Sequence, residues 1–167
     1  MSLAEEAVEV DAAVRERLCV LRTFSKVYGL ASLRVGYALA SPAIADGLDR
    51  VRPIFNVNQP AQEAALASLH EQHAIGGRVS HARRAREKIH TALASVGLDP
   101  EPSQTNFVYA DVPGGDSVGL ADRLLRAGFI VRELTGFGAP GAIRVTAGTD
   151  EENALFAAAL PAVVNSR

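Results

Sequence analysis

Apolar positions recur along this chain in two rhythms. The first is short and continuous: "CVLRTF" (19–24) stops at Ser25-Lys26, and "LRVGYALA" (33–40) stops at Ser41-Pro42. Compact runs rich in β-branched and aromatic residues, bounded by turn residues, predict buried strands. Ahead of them, residues 4–18 are rich in Ala, Glu and Arg but have a poor apolar stripe, which predicts an exposed helix or a loose arm. Residues 43–52 read as a helix opened by Pro42. The stretch "PIFNVNQP" (53–60) then breaks all periodicity with two prolines and two asparagines. It predicts an ordered connector and a domain boundary, dividing the chain into 1–52 and 53–167.

The second rhythm is helical. A short Ala/Leu helix is expected over Ala61–Leu69. A longer one places Ile75, Val79, Ala82, Ile89, Leu93 and Val96 on one face, with Arg86 in the slot that the seven-residue step skips and Gly97 as C-cap. "TNFVYADV" alternates Val108, Ala110 and Val112 against Phe107, Tyr109 and Asp111, a strand with both faces at least partly covered. "SVGLADRLLRAG" is an amphipathic helix closed by Gly128 and leads into the strand "FIVRE". The turn "TGFGAPGA" precedes the strand "IRVTAG", and Thr149 with Glu152 forms a capping box for a last helix. The expected fold class is α/β. An α+β C-terminal domain carries helices on a small, largely antiparallel sheet. The first fifty residues hold two strands and a helix, too few to close a sheet, and read as the remnant of a larger one.

Composition changes this picture little. The chain is 48% hydrophobic and 22% charged, as ordinary globular proteins are. A mean hydropathy of +0.09 without a long apolar run gives no expectation of a membrane span. The net charge of −2 offers no electrostatic case for nucleic acid. "MSLAEEAVEV" has no basic lead into an apolar segment, so no signal peptide is expected. One cysteine, Cys19, cannot form an internal disulfide and fits a reducing cytoplasm.

Chemistry enters with two cations set among apolar neighbours. Lys26 follows Ser25 at the end of the first strand, and Arg34 lies between Leu33 and Val35. An amine at a buried strand end, near another cation, gives up its proton more readily and can condense with an aldehyde. Ser25 and Arg34 could bind a phosphate, the arginine through paired charge-assisted hydrogen bonds. An aldehyde and a phosphate on one molecule describe pyridoxal phosphate. The competing reading has both cations snorkelling to water from a sheet edge. His70 and His73 have metal-ligand spacing but no third ligand nearby, and read as solvated helix residues. Cys19 reads as an inert core thiol. Arg83, Arg84, Arg86 and Lys88 read as a wet helix face.

The full segment "TFSKVYGLASLRVGYALA" resembles the cofactor-lysine segment of fold-type I, class I/II aminotransferases, most closely the histidinol-phosphate aminotransferase branch. Ser32 replaces the commoner Gly. "PIFNVNQPAQEAALASL" resembles the family's connector and following helix, with Ile54 at a usual Pro or aromatic position. "TNFVYADV" and "GFIVRELTGFGAPGAIRVTAGTDEEN" resemble its small domain, so the likeness runs over about residues 19–160. It implies that Lys26 holds pyridoxal 5'-phosphate and serves as general acid and base, with Ser25 and Arg34 on the cofactor phosphate. It implies Arg144 as the substrate-binding arginine and Arg132 as a second one for a substrate phosphate. For Arg132 a surface ion pair with Glu133 or Asp122 is the alternative. Tyr28 and Tyr37 are expected to pack. The implied reaction moves an amino group between a small-molecule donor and a 2-oxo acid or phosphorylated ketone, in a homodimer or other self-associated form.

The resemblance covers only the second half of such enzymes. The family's ring-binding Asp, Tyr and Asn and its stacking aromatic lie upstream, and "AEEAVEV" (4–10) lacks the family's Asp-x-Ala-Tyr segment. The expectation is a truncated chain, inactive alone. A phosphothreonine decarboxylase-like enzyme fragment and a non-catalytic interaction domain are the rival readings.

Overall fold

The computed structural model describes residues 11–166. At its start Asp11 accepts a hydrogen bond from the Ala13 amide at 2.8 Å and caps α1 (Ala12–Arg15), a one-turn helix with no buried residue. Of the exposed helix or loose arm expected over residues 4–18, this turn is the helical part that falls among the described residues, and residues 4–10 lie outside them. The described chain forms two compact units divided between Gly76 and Gly77.

In the first unit β1 (Cys19–Thr23) pairs antiparallel with β2 (Gly36–Ala40), from Cys19 opposite Ala40 to Thr23 opposite Gly36. The apolar runs predicted these strands correctly but predicted their burial wrongly. Leu21 is 75% exposed and Leu39 42%. A two-stranded ribbon has two faces to cover, and the buried cluster of this unit is only Phe24, Val35, Ala61 and Ala65. Ser41 then precedes α2 (Pro42–Val51), which buries no residue. Asn58 accepts from the Ala61 amide at 2.9 Å and caps α3 (Gln59–His70), whose buried face is Ala61 and Ala65.

α4 (His73–Ser95) runs on into the second unit. Its predicted apolar face is used only from the middle onward: Ala85, Ile89 and Leu93 are buried, whereas Val79 is 49% exposed. Gly97 adopts φ +81° and lets the Leu98 amide bond back to the Leu93 carbonyl at 3.2 Å. There follow β3 (Asp99–Pro100), β4 (Phe107–Asp111), α5 (Ser117–Arg126), β5 (Arg132–Glu133), β6 (Ala142–Thr146) and α6 (Asp150–Asn165). The sheet order is β3-β4-β6-β5, antiparallel throughout. β3 was not foreseen, because two residues carry no alternation. "FIVRE" contributes only two residues to the ladder, because Phe129 and Val131 pack instead against the core.

That core is one cluster. Ile89 and Leu93 of α4, Leu120 and Leu124 of α5, and Phe156 and Leu160 of α6 cover Val108, Ala110, Ile143 and Val145 on one face of the sheet. Each large aliphatic side chain buried there contributes roughly 1.5–3 kcal/mol before conformational entropy is set against it. The capping box of α6 is complete: Thr149 Oγ1 accepts from the Glu152 amide at 3.2 Å, and the Glu152 carboxylate accepts from the Thr149 amide at 2.7 Å. Hydrogen bonds from Thr149 hold the Glu152 carboxyl below the usual glutamate range.

Candidate functional site

The segment that turns β1 into β2 is organised around two buried apolar residues. Phe24 is 4% exposed and Val35 8%, and the Phe24 amide donates to the Val35 carbonyl at 3.1 Å, extending the ribbon by one rung. Tyr28 packs on Phe24 with ring centroids 4.7 Å apart and Tyr37 does so at 6.0 Å, so both tyrosines are packing groups as expected. The loop is closed by the Gly29 amide on the Lys26 carbonyl at 2.9 Å and the Leu30 amide on the Phe24 carbonyl at 2.9 Å. A Cβ on Gly36 would stand 2.6 Å from the Arg22 carbonyl oxygen, so only glycine permits the strands to meet there.

This register brings Ser25, Lys26 and Arg34 to one end of the ribbon. Ser25 and Lys26 leave β1 just after Phe24, and Arg34 enters β2 just before Val35. Lys26 and Arg34 are exposed, Ser25 half-buried. The buried strand end anticipated from sequence is therefore not found around Lys26, for the same reason that the ribbon is uncovered. Arg34 has φ 54° and ψ 49°, a left-handed conformation that a side chain rarely adopts, and its guanidinium donates to the Ala31 carbonyl at 2.7 Å. Strained backbone of this kind costs of order 1–3 kcal/mol and gathers at functional segments. Among the described residues neither Lys26 nor Arg34 has a carboxylate partner.

A second cluster lies on the sheet of the other unit. Tyr109, Arg144 and Arg132 are direct cross-strand neighbours on β4, β6 and β5. They occupy the sheet face opposite Val108, Ile143 and Val145, as alternation in "IRVTAG" predicts for Arg144. Two like charges side by side on a sheet are unfavourable unless something answers them. Each guanidinium lies by an aromatic ring: Arg144 is 4.9 Å from the Phe107 centroid, and Arg132 is 5.9 Å from that of Phe137. The Arg144 Nε is buried with no hydrogen-bond partner, and such a donor calls for an acceptor. The ion pair considered for Arg132 is not formed. Glu133 accepts from Ser117 Oγ and from Thr135, and Asp122 pairs with Arg126 at 2.9 Å. Tyr109 donates to Asp111 at 2.8 Å, which raises its phenol above the usual value.

Sequence reasoning did not single out Phe107, Tyr109 or Phe137 as site residues. Alternation in "TNFVYADV" set Phe107 and Tyr109 off from Val108, but the cross-strand register that joins them to Arg144 had no signal in the chain. The weaker candidates resolve simply. His73 lies 3.4 Å from Glu71 on the surface, and no metal-binding group of three occurs among the described residues. Cys19 is exposed rather than in a core. Arg86 turns to the Thr105 carbonyl at 2.8 Å, and Lys88 pairs with Asp150 at 2.6 Å, lowering that carboxyl below its usual range. No helix of the described residues is long and apolar enough to cross a membrane.

An amine, a hydroxyl and a guanidinium at one ribbon end, the two cations without a carboxylate partner among the described residues, form a donor set that suits an aldehyde bearing a phosphate. Comparison with known proteins bears on this. The model of the aminotransferase class I and II family matches residues 2–160. A histidinol-phosphate aminotransferase of Granulibacter bethesdensis is 46% identical over 92% of this chain and 41% of its own length. An aromatic amino acid aminotransferase of Nocardia farcinica is 43% identical over 90% of the chain and 41% of its own length. The crystal structure of histidinol-phosphate aminotransferase from Sinorhizobium meliloti in complex with pyridoxal-5'-phosphate superposes with a TM-score of 0.80 at 34% identity, covering 90% of this chain and 42% of that one. The chain thus spans about two fifths of the length of these relatives.

Proposed function

The chain belongs to the class I and II aminotransferases, and on that premise we propose that it is the part of a histidinol-phosphate aminotransferase-like enzyme that holds pyridoxal phosphate and grips the substrate. The reaction is transfer of an amino group between an amino donor and a 2-oxo acid or phosphorylated ketone. The family division falls at the connector, with 1–52 a remnant of the large cofactor domain and 53–167 the small domain. The observation that carries the reading is the placement of Ser25, Lys26 and Arg34 at one end of the β1–β2 ribbon, where neither cation has a carboxylate partner among the described residues.

When bound, pyridoxal phosphate supplies an electron sink for the bonds at the donor carbon. Ser25 Oγ and the Arg34 guanidinium bind its phosphate. Lys26 Nζ would hold its aldehyde and, once released as a free amine, would take the proton from the donor carbon as general base. Arg144, over the Phe107 ring, and Arg132, beside Phe137, would bind the substrate anion, and their cross-strand adjacency supports that role. The similarity to both a histidinol-phosphate and an aromatic amino acid enzyme supports a donor drawn from several amines.

Affinity for pyridoxal phosphate against pyridoxal, followed by absorbance, tests the reading. The native chain should prefer the phosphorylated form, and Arg34→Ala should lose about tenfold or more of that preference, the worth of a charge-assisted hydrogen bond. Equal affinity of the native chain for both compounds would contradict the phosphate assignment.

The protein is placed in the cytoplasm, where a reducing environment suits the exposed Cys19 thiol. It is expected to self-associate, as a homodimer in the simplest case. Leu21, Leu39 and Val51 are exposed, and among the described residues each strand of the ribbon has one unpaired edge. Light scattering at low micromolar concentration should give at least a dimer mass, and Leu39→Glu should shift it toward monomer. A clean native monomer would remove this expectation.

A further inference from the structure

We infer that Glu133 is a positioning residue for the anion site, acting through Arg132 without touching substrate. The inference rests on the reading of Arg132 and Arg144 as anion ligands. Glu133 follows Arg132 on β5 and, by alternation, points to the other face of the sheet: Arg132 sits opposite Arg144, Glu133 opposite Ile143. Its carboxylate collects three hydrogen bonds. The Ser117 hydroxyl, on a side chain only 1% exposed at the start of α5, donates at 2.9 Å; the Thr135 amide donates at 2.9 Å; and the Thr135 hydroxyl donates as well.

The consequences are two. First, the one acid adjacent in sequence to Arg132 is fully engaged elsewhere, so the guanidinium keeps its charge for a ligand. Second, the carboxylate ties α5 to the tight turn that follows β5. In that turn the Phe137 amide donates to the Leu134 carbonyl at 2.9 Å, and the Gly138 amide donates to the Thr135 carbonyl at 3.1 Å. The turn carries Phe137, the ring beside the Arg132 guanidinium. Fastening one end of the turn at Thr135 therefore fixes both the arginine and its aromatic neighbour. Hydrogen bonds from Thr135 hold the Glu133 carboxyl below the usual glutamate range, so the fastening persists through neutral pH.

The sign of one substitution separates this role from plain electrostatics. Glu133→Gln removes a negative charge near two cations, which by Coulomb's law alone strengthens anion binding. A positioning role requires the opposite. The probe is inorganic phosphate, titrated into the full chain while the Nε–Hε signals of Arg132 and Arg144 are followed by NMR. In the native chain both signals should move. Glu133→Gln should weaken phosphate binding about three- to tenfold, in line with loss of one or two hydrogen bonds to a charged acceptor. Thr135→Val, which leaves every charge in place, should weaken it in the same direction, and it carries the test should Glu133→Gln fail to fold. Glu151→Gln, on the exposed first turn of α6, should change nothing and controls for net charge. Unchanged or tighter binding in a folded Glu133→Gln chain, or unchanged binding in Thr135→Val, overturns the inference while leaving the anion site intact. If neither arginine signal moves in the native chain, the anion reading itself falls, and the positioning role falls with it.

Discussion

Purified alone, supplied with pyridoxal phosphate and offered histidinol phosphate with 2-oxoglutarate, the 167-residue chain is expected to turn over at no more than about a thousandth of the rate of a full-length relative. The proposed reading gives the chain an anchoring amine, a phosphate grip and a pair of anion-binding arginines, but the chain spans 41% of the length of a relative that is 46% identical to it. The resemblance assigns the groups that protonate and stack on the cofactor ring to the portion upstream of Lys26. Each ~1.4 kcal/mol of lost transition-state stabilisation is a factor of ten, so the loss of three contacts of that size alone reaches about a thousandfold. Exposure of Lys26 adds to this, because water at the reacting amine weakens every electrostatic contact made there. A coupled assay for glutamate formation measures the rate. Turnover within tenfold of a full-length relative would show that the groups on this chain suffice.

The second unit was legible in the sequence because its elements are self-consistent. Phe107–Asp111 alternates, Thr149 and Glu152 announce their cap, and Gly97 and Gly128 stand where helices must stop, each with a left-handed φ. The first unit was legible in its elements and misleading in its burial. "CVLRTF" and "GYALA" have the composition of covered strands, yet composition records what a strand is suited to pack against, not whether that partner is present. The site residues Lys26, Ser25 and Arg34 came from motif resemblance. Their convergence is a matter of register, set by the Phe24–Val35 rung and by the lack of a side chain on Gly36. Phe107, Phe137 and Glu133 stayed hidden because each makes its contact with a residue on another strand, turn or helix, and no spacing along one segment encodes such a relation.

The central claim is that Lys26 is the cofactor lysine, and the chain provides its own control. It has two lysines, Lys26 and Lys88. Lys88 is held 2.6 Å from the Asp150 carboxylate, whereas the Lys26 side chain has no polar partner among the described residues and stands at the ribbon end that also carries Ser25 and Arg34. Pyridoxal phosphate at stoichiometric concentration, borohydride to trap it on whichever amine it has condensed with, and peptide mapping by mass spectrometry decide the matter. The account predicts label on the Lys26 peptide, little on the Lys88 peptide, and loss of the specific label in Lys26→Ala. Equal labelling of the two lysines, or label unaffected by Lys26→Ala, would contradict it.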